Sequence, residues 1–232
     1  MKLDKVTLIC VDCVEPELAS KVLDICTRKI QFADVKLLTH LPVESKYKVQ
    51  IEPLNTLVMY SVFCLTKLYK YIKTSHVLIV QRDGFILNPQ MFKMEWLELD
   101  YIAPLFVQMD IVGSGGFSLR SIKIMKYASE LLPKWDGTEG HANQIQSKLG
   151  YYEDGVLCLD NRFEGFKFAT KEQACEFGQG GNRNPEYFRQ YPFGFHRTWQ
   201  EIDFNTGMVD SSTIGNTLKN SYANEINNLW SI

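Results

Sequence analysis

The sequence has no excess of charge of either sign. Its 25 Lys and Arg residues balance 27 Asp and Glu residues, which leaves a net charge of -2. A protein that binds nucleic acid or an anionic membrane over a broad face needs a strongly positive surface. We therefore predict no nucleic-acid partner, and peripheral contact with a membrane would need a local basic patch.

Long apolar segments are also lacking. The longest nearly apolar run, residues 57–65, is interrupted by Ser61 and has about half of the roughly 20 residues that cross a bilayer. Residues 1–5 are polar and lead directly into an apolar run at 6–11, without the basic segment and cleavage site of a secretory signal. We expect a cytoplasmic protein without a transmembrane segment.

The sequence lacks the dense cysteine spacing of a disulfide-rich protein, and its six cysteines are scattered mostly in apolar settings. This distribution is typical of reduced core thiols rather than of a disulfide framework. Cys10 and Cys13 form a Cys-x-x-Cys pair between a predicted strand and helix, so a thiol redox site is one alternative. The phosphate-loop, zinc-protease and α/β-hydrolase motifs are missing, which argues against those enzyme classes.

The chain does have enough apolar sequence, 45% of 232 residues, to form one domain with its own core. Short apolar runs alternate with segments of helical spacing, which predicts an α/β fold. The predicted strands lie at 6–11, 34–38, 77–80, 101–102 and 156–159. The first predicted helix begins at Pro16. The other predicted helices cover 55–71, 91–99, 121–132, 143–149 and, in the tail, 213–232.

The first candidate site is Asp83 with Gly84, shortly after the strand predicted at 77–80. Ligands of open α/β sheets bind outside the carboxyl ends of the strands. An acidic residue there can hold a phosphate-bound Mg²⁺ or Mn²⁺, because these cations prefer oxygen ligands. The alternative is an ordinary Asp-Gly turn.

The second candidate is the glycine-rich segment 113–118, which differs from a dinucleotide fingerprint because Ser118 stands where the third glycine is needed. Paired glycines let the backbone approach a sugar ring or a phosphate closely, and Arg120 can supply hydrogen bonds. The alternative is a glycine bulge at the entrance of a buried strand.

The third candidate is the pair Glu153 and Asp154, ahead of the strand predicted at 156–159. One carboxylate can serve as a general base while the other makes structural hydrogen bonds. Successive strand residues face opposite sides of a sheet, so we expect only one of the two to face the site. A solvated acidic turn is the alternative.

The fourth candidate is His196 in the aromatic segment 192–197. A neutral imidazole can complete a metal site or bind phosphate, and Arg197 can pair with a diphosphate. The alternative is a packed, hydrogen-bonded histidine.

Three strings carry a family resemblance: Gln-Arg-Asp-Gly-Phe-Ile-Leu at 81–87, Gly-Gly-Phe-Ser-Leu-Arg-Ser at 115–121 and Pro-Phe-Gly-Phe-His at 192–196. Together they resemble a family of glycosyltransferase-like proteins, known as a domain of unknown function, that is similar to the GT-A nucleotide-sugar enzymes. The resemblance covers roughly residues 5–200. It implies a Rossmann-like GT-A domain over residues 1–200, with a mixed, mostly parallel sheet flanked by helices, and an extension at 201–232 that packs on it.

The resemblance also implies roles for individual residues. It places the catalytic base at Asp154, with Glu153 as the alternative, and a divalent cation (Mn²⁺ or Mg²⁺) on Asp83 and His196. The donor-binding residues that it implies are Val11, Asp12, Gln81, Asp83, Gly84 and Arg197, and the acceptor and sugar pocket is formed by Gly115, Gly116, Phe117 and Ser118. GT-A enzymes usually carry Asp-x-Asp, whereas Asp83 is followed by Gly84 and Phe85.

The function that follows is transfer of a sugar from a nucleoside diphosphate sugar to a hydroxyl of a glycan or glycolipid, as in polysaccharide biosynthesis. We expect the reaction to be metal-assisted and inverting. The alternative is a non-catalytic module of the same fold that binds a nucleotide sugar or a glycan.

Overall fold

A six-stranded sheet forms the centre of the protein. The structure is a computed structural model, and it describes residues 1–106, 109–180 and 189–197 and the backbone of 202–203 and 208–209. The strands are β1 (Lys2–Val11), β2 (Gln31–Thr39), β3 (Lys48–Gln50), β4 (His76–Val80), β5 (Tyr101–Ile102), β6 (Ser118–Ser121), β7 (Gly178–Gln179), β8 (Gly194–Phe195), β9 (Ile202–Asp203) and β10 (Met208–Val209). The helices are α1 (Pro16–Thr27), α2 (Leu57–Thr66), α3 (Ile122–Leu131), α4 (Glu139–Leu149), α5 (Glu153–Leu159) and α6 (Lys171–Phe177).

The strand order of the central sheet is β3-β2-β1-β4-β6-β5. β1 runs parallel to β2 and β4, and β2 runs parallel to β3, whereas β6 is antiparallel to both β4 and β5. All five residues of β4 are buried, as expected for a strand in the middle of a covered sheet. The predicted mixed, mostly parallel sheet is thus confirmed.

The parallel strands bring distant segments to one edge. Cys10 of β1 pairs with Val80 of β4, so the residues that follow both strands emerge side by side. Ile79 of β4 pairs with Ser118, the first residue of antiparallel β6, and the glycine-rich segment before β6 therefore meets the same edge. The fold thus gathers two of the four candidate segments, Asp83–Gly84 and the glycine-rich segment, at the end of β1.

The prediction of a strand at 156–159 is wrong, because these residues belong to helix α5. A run of four apolar residues does not distinguish a buried strand from a buried helix. Glu153 and Asp154 occupy the first turn of α5, where acidic side chains are stabilised by the helix dipole. The two carboxylates therefore follow helical rather than strand geometry.

Two predicted helices begin at other residues. The helix predicted at 55–71 begins after Thr56, whose hydroxyl accepts a hydrogen bond from the Met59 N–H, and a 3-10 turn at Leu68–Tyr71 follows it. α4 begins at Glu139 rather than 143, because the Thr138 hydroxyl caps it. The helix predicted at 121–132 is confirmed as α3, with Ser121 as its N-cap.

The segment predicted as a helix at 91–99 forms two 3-10 turns instead, Pro89–Met91 and Met94–Glu98. Phe92 between them is extended, and its ring packs edge-on against buried Trp96 at 5.4 Å between ring centroids. The tail helix predicted at 213–232 lies outside the described residues. The division into 1–200 and 201–232 stays a prediction.

All six cysteines are free, in agreement with reduced core thiols. Cys10 is buried within β1, and burial raises the pKa of its thiol well above the usual range. A high thiol pKa is the opposite of what a redox nucleophile needs. Among the described residues, no helix is both long and apolar enough to cross a membrane.

Candidate functional site

A cavity of about 270 Å³ opens at the carboxyl edge of the parallel strands. Its lining comes from the ends of β1 and β4, from the start of α2 and from the segment after β8. The lining residues are Val11, Asp12, Cys13, Val14, Leu54, Asn55, Thr56, Leu57, Tyr60, Gln81, Arg82, Asp83 and Arg197. Five of the six predicted donor-binding residues are among them, and Gly84 is not.

Asp12 is buried beside this cavity and is fully engaged within the protein. One carboxylate oxygen accepts hydrogen bonds from the N–H groups of Val14 and Glu15, both at 2.8 Å. The other oxygen accepts from Arg82 Nη1 at 2.7 Å. Arg82 Nε also pairs with the Glu15 carboxylate at 3.1 Å. Asp12 therefore holds the β1–α1 turn and orients Arg82, whose side chain is 35% exposed.

Asp83 lies at the tip of a tight turn that follows β4. Gln81 and Gly84 exchange backbone hydrogen bonds at 2.8 and 3.0 Å, which closes the turn around Arg82 and Asp83. The Asp83 side chain is 35% exposed, and its carboxylate lies 3.8 Å from the Arg197 guanidinium at Nε and 3.9 Å from His196 Nε2. It is the carboxylate of this cavity that is free to meet a ligand.

Arg197 has a backbone φ of 62°, in the left-handed region that residues other than glycine rarely adopt. Its N–H donates to the Asp83 carbonyl at 2.8 Å, which ties it to the turn after β4. The side chain is 68% exposed and lines the cavity. Backbone strain of this kind is concentrated at functional sites.

His196 is only 4% exposed, and both of its ring nitrogens have hydrogen-bond partners. Nδ1 lies 2.6 Å from the Ser114 hydroxyl, and Nε2 lies 3.2 Å from Gln81 Oε1. Burial lowers the pKa of the imidazole to about 4, the nearby Asp83 carboxylate opposing this shift. The structure thus shows a packed, hydrogen-bonded histidine, and its lowered pKa favours the neutral ring.

The glycine-rich segment passes between His196 and α5. A Cβ on Gly116 would lie 2.1 Å from His196 Nε2, and one on Gly115 would lie 2.8 Å from both Arg120 Nη2 and Asp154 Cβ. These contacts explain why the segment needs glycine at both positions.

Neither Phe117 nor Ser118 lines the cavity at the sheet edge. Both are fully buried. The Phe117 ring stacks on Phe177 at 4.8 Å, and the Ser118 hydroxyl donates to the Gly115 carbonyl at 2.8 Å. They support the glycine segment from the core, because β6 begins at Ser118 and turns these side chains inward.

Glu153 and Asp154 differ in their surroundings. Glu153 is buried, and its carboxylate lies 3.5 Å from Nη2 of the fully buried Arg120. Burial raises the pKa of Glu153 to about 7, and Arg120 opposes this shift. Asp154 is half-buried and accepts hydrogen bonds from the N–H groups of Gly115 at 3.2 Å and Gly155 at 2.8 Å.

The predicted metal ligands fit a cation only in part. Neither ring nitrogen of His196 is available without breaking a hydrogen bond, so this side chain does not fit as a ligand. Among the described residues, no group of three His, Cys, Asp or Glu side chains could hold a metal ion. Asp83 does fit, because Mg²⁺ is commonly bound through one or two carboxylates together with substrate phosphates and water.

Sequence reasoning did not single out Tyr60, Arg82 or Ser114. The sequence could have indicated Arg82, because it directly precedes Asp83 in the same short turn. Tyr60 accepts a hydrogen bond from Gln81 Nε2 at 2.9 Å across 21 residues, and Ser114 reaches His196 across 82 residues. No spacing in the sequence could indicate either contact.

Solved structures similar to this one include a glycosyltransferase involved in the glycosylation of the major capsid of PBCV-1. It has a TM-score of 0.52 and 10% identity, with 98% of this chain and 99% of that chain covered. The apo-form glycosyltransferase GlyE of Streptococcus pneumoniae TIGR4 has a TM-score of 0.50 and 10% identity over 98% of this chain and 63% of that one. The galactosyltransferase LgtC has a TM-score of 0.46 and 14% identity over 82% of this chain and 86% of that one. At 10% identity the likeness to the first two structures shows the GT-A fold alone, and it confirms the predicted fold class.

No curated protein matches the chain by sequence. Residues 42–196 match a family described as "Protein of unknown function (DUF5672)". This range includes three of the four candidate sites in full and extends to His196 in the fourth. Since the match covers more than half of the chain, the protein belongs to the DUF5672 family.

Proposed function

We propose that the protein is a glycosyltransferase that moves a sugar from a nucleoside diphosphate sugar to a hydroxyl of a glycan or glycolipid. The observation that carries this proposal is the arrangement of two carboxylates around one glycine segment. Asp83 lies at the cavity, and Asp154 is hydrogen-bonded to Gly115 on the side towards α5. Solved glycosyltransferases share this fold.

The donor would occupy the cavity at the sheet edge. The nucleoside would lie against Val11 and Tyr60, and the diphosphate would lie near Arg82, Arg197 and Asp83. Arg82 has N–H groups beyond the two that Asp12 and Glu15 engage, and a guanidinium can present several donors to a phosphate at once.

The charge of the cavity favours an added cation. Its lining contains two carboxylates, Asp12 and Asp83, and two guanidinium groups, Arg82 and Arg197, so their formal charges cancel. A diphosphate would bring uncompensated negative charge into this site. A divalent cation held by Asp83 and the phosphates would neutralise part of the charge that develops on the leaving diphosphate.

Asp154 is the better candidate for the catalytic base. It is half-buried, whereas Glu153 is 5% exposed and faces Arg120. A base must come within hydrogen-bond reach of the proton that it removes. In the proposed inverting reaction Asp154 takes the proton of the acceptor hydroxyl, whose oxygen bonds to the anomeric carbon while the bond from that carbon to the diphosphate oxygen breaks.

Exposed aromatic rings beside Asp154 support a carbohydrate acceptor. Tyr151 and Tyr152 are 50% and 45% exposed and directly precede α5. The Tyr151 carbonyl accepts a hydrogen bond from Gln146 Nε2 at 2.5 Å, and its side chain packs over Gly155. An anchored, exposed ring has an apolar face on which a sugar can stack.

A second candidate function is a binding module without transfer chemistry. The observation that favours it is the single available carboxylate, Asp83, where GT-A enzymes usually have two. Such a module would bind a nucleotide sugar and would neither hydrolyse nor transfer it.

The test is a thermal-shift panel of UDP-, GDP- and dTDP-sugars with and without Mn²⁺, and a CMP-sugar as the monophosphate control. A ligand that binds the native state alone raises the melting temperature according to its affinity. We expect a Mn²⁺-enhanced shift with one diphosphate donor, followed by slow hydrolysis of that donor. A shift without hydrolysis or transfer would favour the binding module, and no shift with any donor would contradict both functions.

A further inference from the structure

The imidazole of His196 connects three segments that are far apart in the sequence. The Ser114 hydroxyl lies 2.6 Å from Nδ1, and Gln81 Oε1 lies 3.2 Å from Nε2. The Gln81 amide continues the chain, because its Nε2 donates to the Tyr60 hydroxyl at 2.9 Å. The ring therefore joins the glycine segment to the turn after β4 and, through Gln81, to α2.

With the Gln81 amide oriented as in the structure, the protons of this chain run in one direction. Gln81 uses its NH₂ group towards Tyr60, so the oxygen of the same amide faces His196 and must accept. His196 Nε2 then carries the proton. Nδ1 of the neutral ring is the acceptor, and the Ser114 hydroxyl donates to it. Each atom of the chain has one role, which gives the ring a single tautomer and orientation.

The ring is also held between two glycines. A Cβ on Gly116 would lie 2.1 Å from His196 Nε2 and 2.3 Å from Gln81 Oε1, and a Cβ on Gly84 would lie 2.8 Å from His196 Cδ2. Neither the glycine segment nor the turn after β4 can shift without moving the imidazole. Gly115, between Ser114 and Gly116, donates its N–H to Asp154 at 3.2 Å, so the position of the ring is passed on to that carboxylate.

We infer that His196 is a positioning residue: it sets the distance between the turn that carries Asp83 and the glycine segment that holds Asp154, and it binds neither the cation nor the donor. The inference rests on the proposed function for the roles of Asp83 and Asp154. Misplacement of reacting groups by about 1 Å can reduce turnover by about 100-fold. A hydrogen-bonded ring at this junction therefore acts on kcat more than on donor binding.

The first experiment does not depend on glycosyl transfer. The tautomer of His196 is read from long-range ¹H–¹⁵N correlations of the histidine rings at neutral pH, with assignment by loss of the signal in His196→Gln. We expect a proton on Nε2 and none on Nδ1. A proton on Nδ1, or on both nitrogens, would overturn the hydrogen-bond chain and the inference with it.

The second experiment separates the two hydrogen bonds by substitution. The amide oxygen of His196→Asn stands near the position of Nδ1 and can still accept from Ser114, whereas the amide nitrogen of His196→Gln stands near Nε2 and can still donate to Gln81. Ser114→Ala removes the bond to the glycine segment from the other side. We expect Ser114→Ala and His196→Gln each to lower kcat about 10- to 100-fold with donor KM changed less than about 3-fold. His196→Asn should retain more turnover than His196→Gln.

The kcat of the double variant Ser114→Ala with His196→Gln should lie no more than about 3-fold below that of either single variant. Both substitutions remove the same hydrogen bond, so their effects should not add. His76→Gln is the matched control. His76 is likewise buried and hydrogen-bonded through both ring nitrogens, to Ser75 and to the Leu99 carbonyl, and it lies at the amino end of β4. The kcat of His76→Gln should equal that of the unmodified protein. An unchanged kcat in Ser114→Ala, or a parallel loss in His76→Gln, would overturn the inference.

Two further readouts distinguish failure of this inference from failure of the proposed function. Affinity for Mn²⁺ in the presence of the nucleoside diphosphate should be unchanged in His196→Gln, and a fall of 10-fold or more would make His196 a cation ligand instead. Hydrogen exchange of the segment 113–117 should become about 10-fold faster in Ser114→Ala and His196→Gln but not in His76→Gln. If exchange is unchanged, the ring does not hold this segment, whatever the activity of the protein.

Discussion

The N–H of Gly115 donates a hydrogen bond to the Asp154 carboxylate at 3.2 Å. Atoms of Arg120, Asp154 and Glu153 crowd the position that a Cβ on Gly115 would take. Gly115 and Asp154 are 39 positions apart in the chain. This contact joins the glycine segment to the first turn of α5, and it places the candidate base against the backbone that would face the sugar.

Replacing Gly115 by Ala tests how tightly this junction is packed. The new Cβ would lie 2.8 Å from Arg120 Nη2 and from Asp154 Cβ and 3.0 Å from Glu153 Oε1. Overpacking of this kind costs about 1–3 kcal/mol, and we expect a similar fall in the free energy of unfolding in urea. Gly140→Ala is the control, since no atom lies within 4 Å of its Cβ position in α4, and it should be neutral or stabilising by about 0.5–1 kcal/mol. Equal behaviour of the two variants would contradict the packing described.

Glu153 makes a pH-dependent contribution to stability. Its pKa in the folded protein is about 7, above the ordinary value of 4.5, because the side chain is buried. Between these values the folded state keeps a proton that the unfolded chain releases, so stability falls as the pH rises from about 4.5 to 7. The contribution, up to about 3 kcal/mol, is fully present below pH 4.5 and lost above pH 7.

Urea unfolding of the unmodified protein and of Glu153→Gln at pH 5 and pH 8 measures this effect. Other groups titrate alike in both proteins, so the difference between their pH dependences isolates Glu153. The unmodified protein should lose more stability towards pH 8 than the variant. Parallel profiles would show that Glu153 is ionised in the folded protein across this range.

Asp154→Asn should remove the base while preserving the donor site. We expect turnover to fall about 10²- to 10⁴-fold, the usual contribution of a general base, with donor affinity changed less than about 3-fold. Initial rates with saturating donor, together with donor titration, measure both quantities. Asp4→Asn, an exposed substitution at the start of β1, is the control and should be silent. Unchanged turnover in Asp154→Asn would remove this residue from the chemistry.

Asp83→Asn should uncouple the cation from the donor. Asp83 is the exposed carboxylate of the cavity, so its loss should abolish the Mn²⁺-dependent part of the thermal shift and leave the Mn²⁺-independent part in place. The measurement is the donor titration repeated at fixed Mn²⁺ concentrations. If Mn²⁺ still enhances donor binding to the variant, the cation is held elsewhere.

Asp12→Asn should affect stability more than a surface carboxylate does. Asp12 is 5% exposed, and its two oxygens bind two backbone N–H groups and Arg82. The pair is only partly buried, because Arg82 is 35% exposed, so we expect about 2 kcal/mol here, the usual contribution of a hydrogen bond to a charged group. The exposed pair Lys2 and Asp4 provides the comparison, since exposed pairs contribute about 0–1 kcal/mol. Chemical denaturation of Asp12→Asn and Asp4→Asn decides whether the two pairs differ in this way.

The sequence predicted the candidate segments better than the contacts between them. Asp83 was identified because an acidic residue followed a strongly apolar strand, and this order survives in the structure. The pair at 153–154 was identified as well, but its geometry was wrong, since four apolar residues fit a strand and a helix equally. For His196, a metal role was expected, but the sequence could not show that both of its ring nitrogens have hydrogen-bond partners.

The sequence by itself determined that strands alternate with helices in an α/β fold, because local hydrophobic spacing differs between the two. It also predicts the sheet edge at which a ligand would bind, because the ends of strands meet there, whereas the mixed, mostly parallel sheet was implied by the family resemblance. Other contacts were decided by the tertiary structure alone. The ring nitrogens of His196 have Ser114 and Gln81 as hydrogen-bond partners, the side chains of Phe117 and Ser118 lie in the core, and Asp12 binds Arg82. Such contacts join residues up to 115 positions apart, and hydrogen-bond partners at that separation are set by packing, which no local pattern encodes.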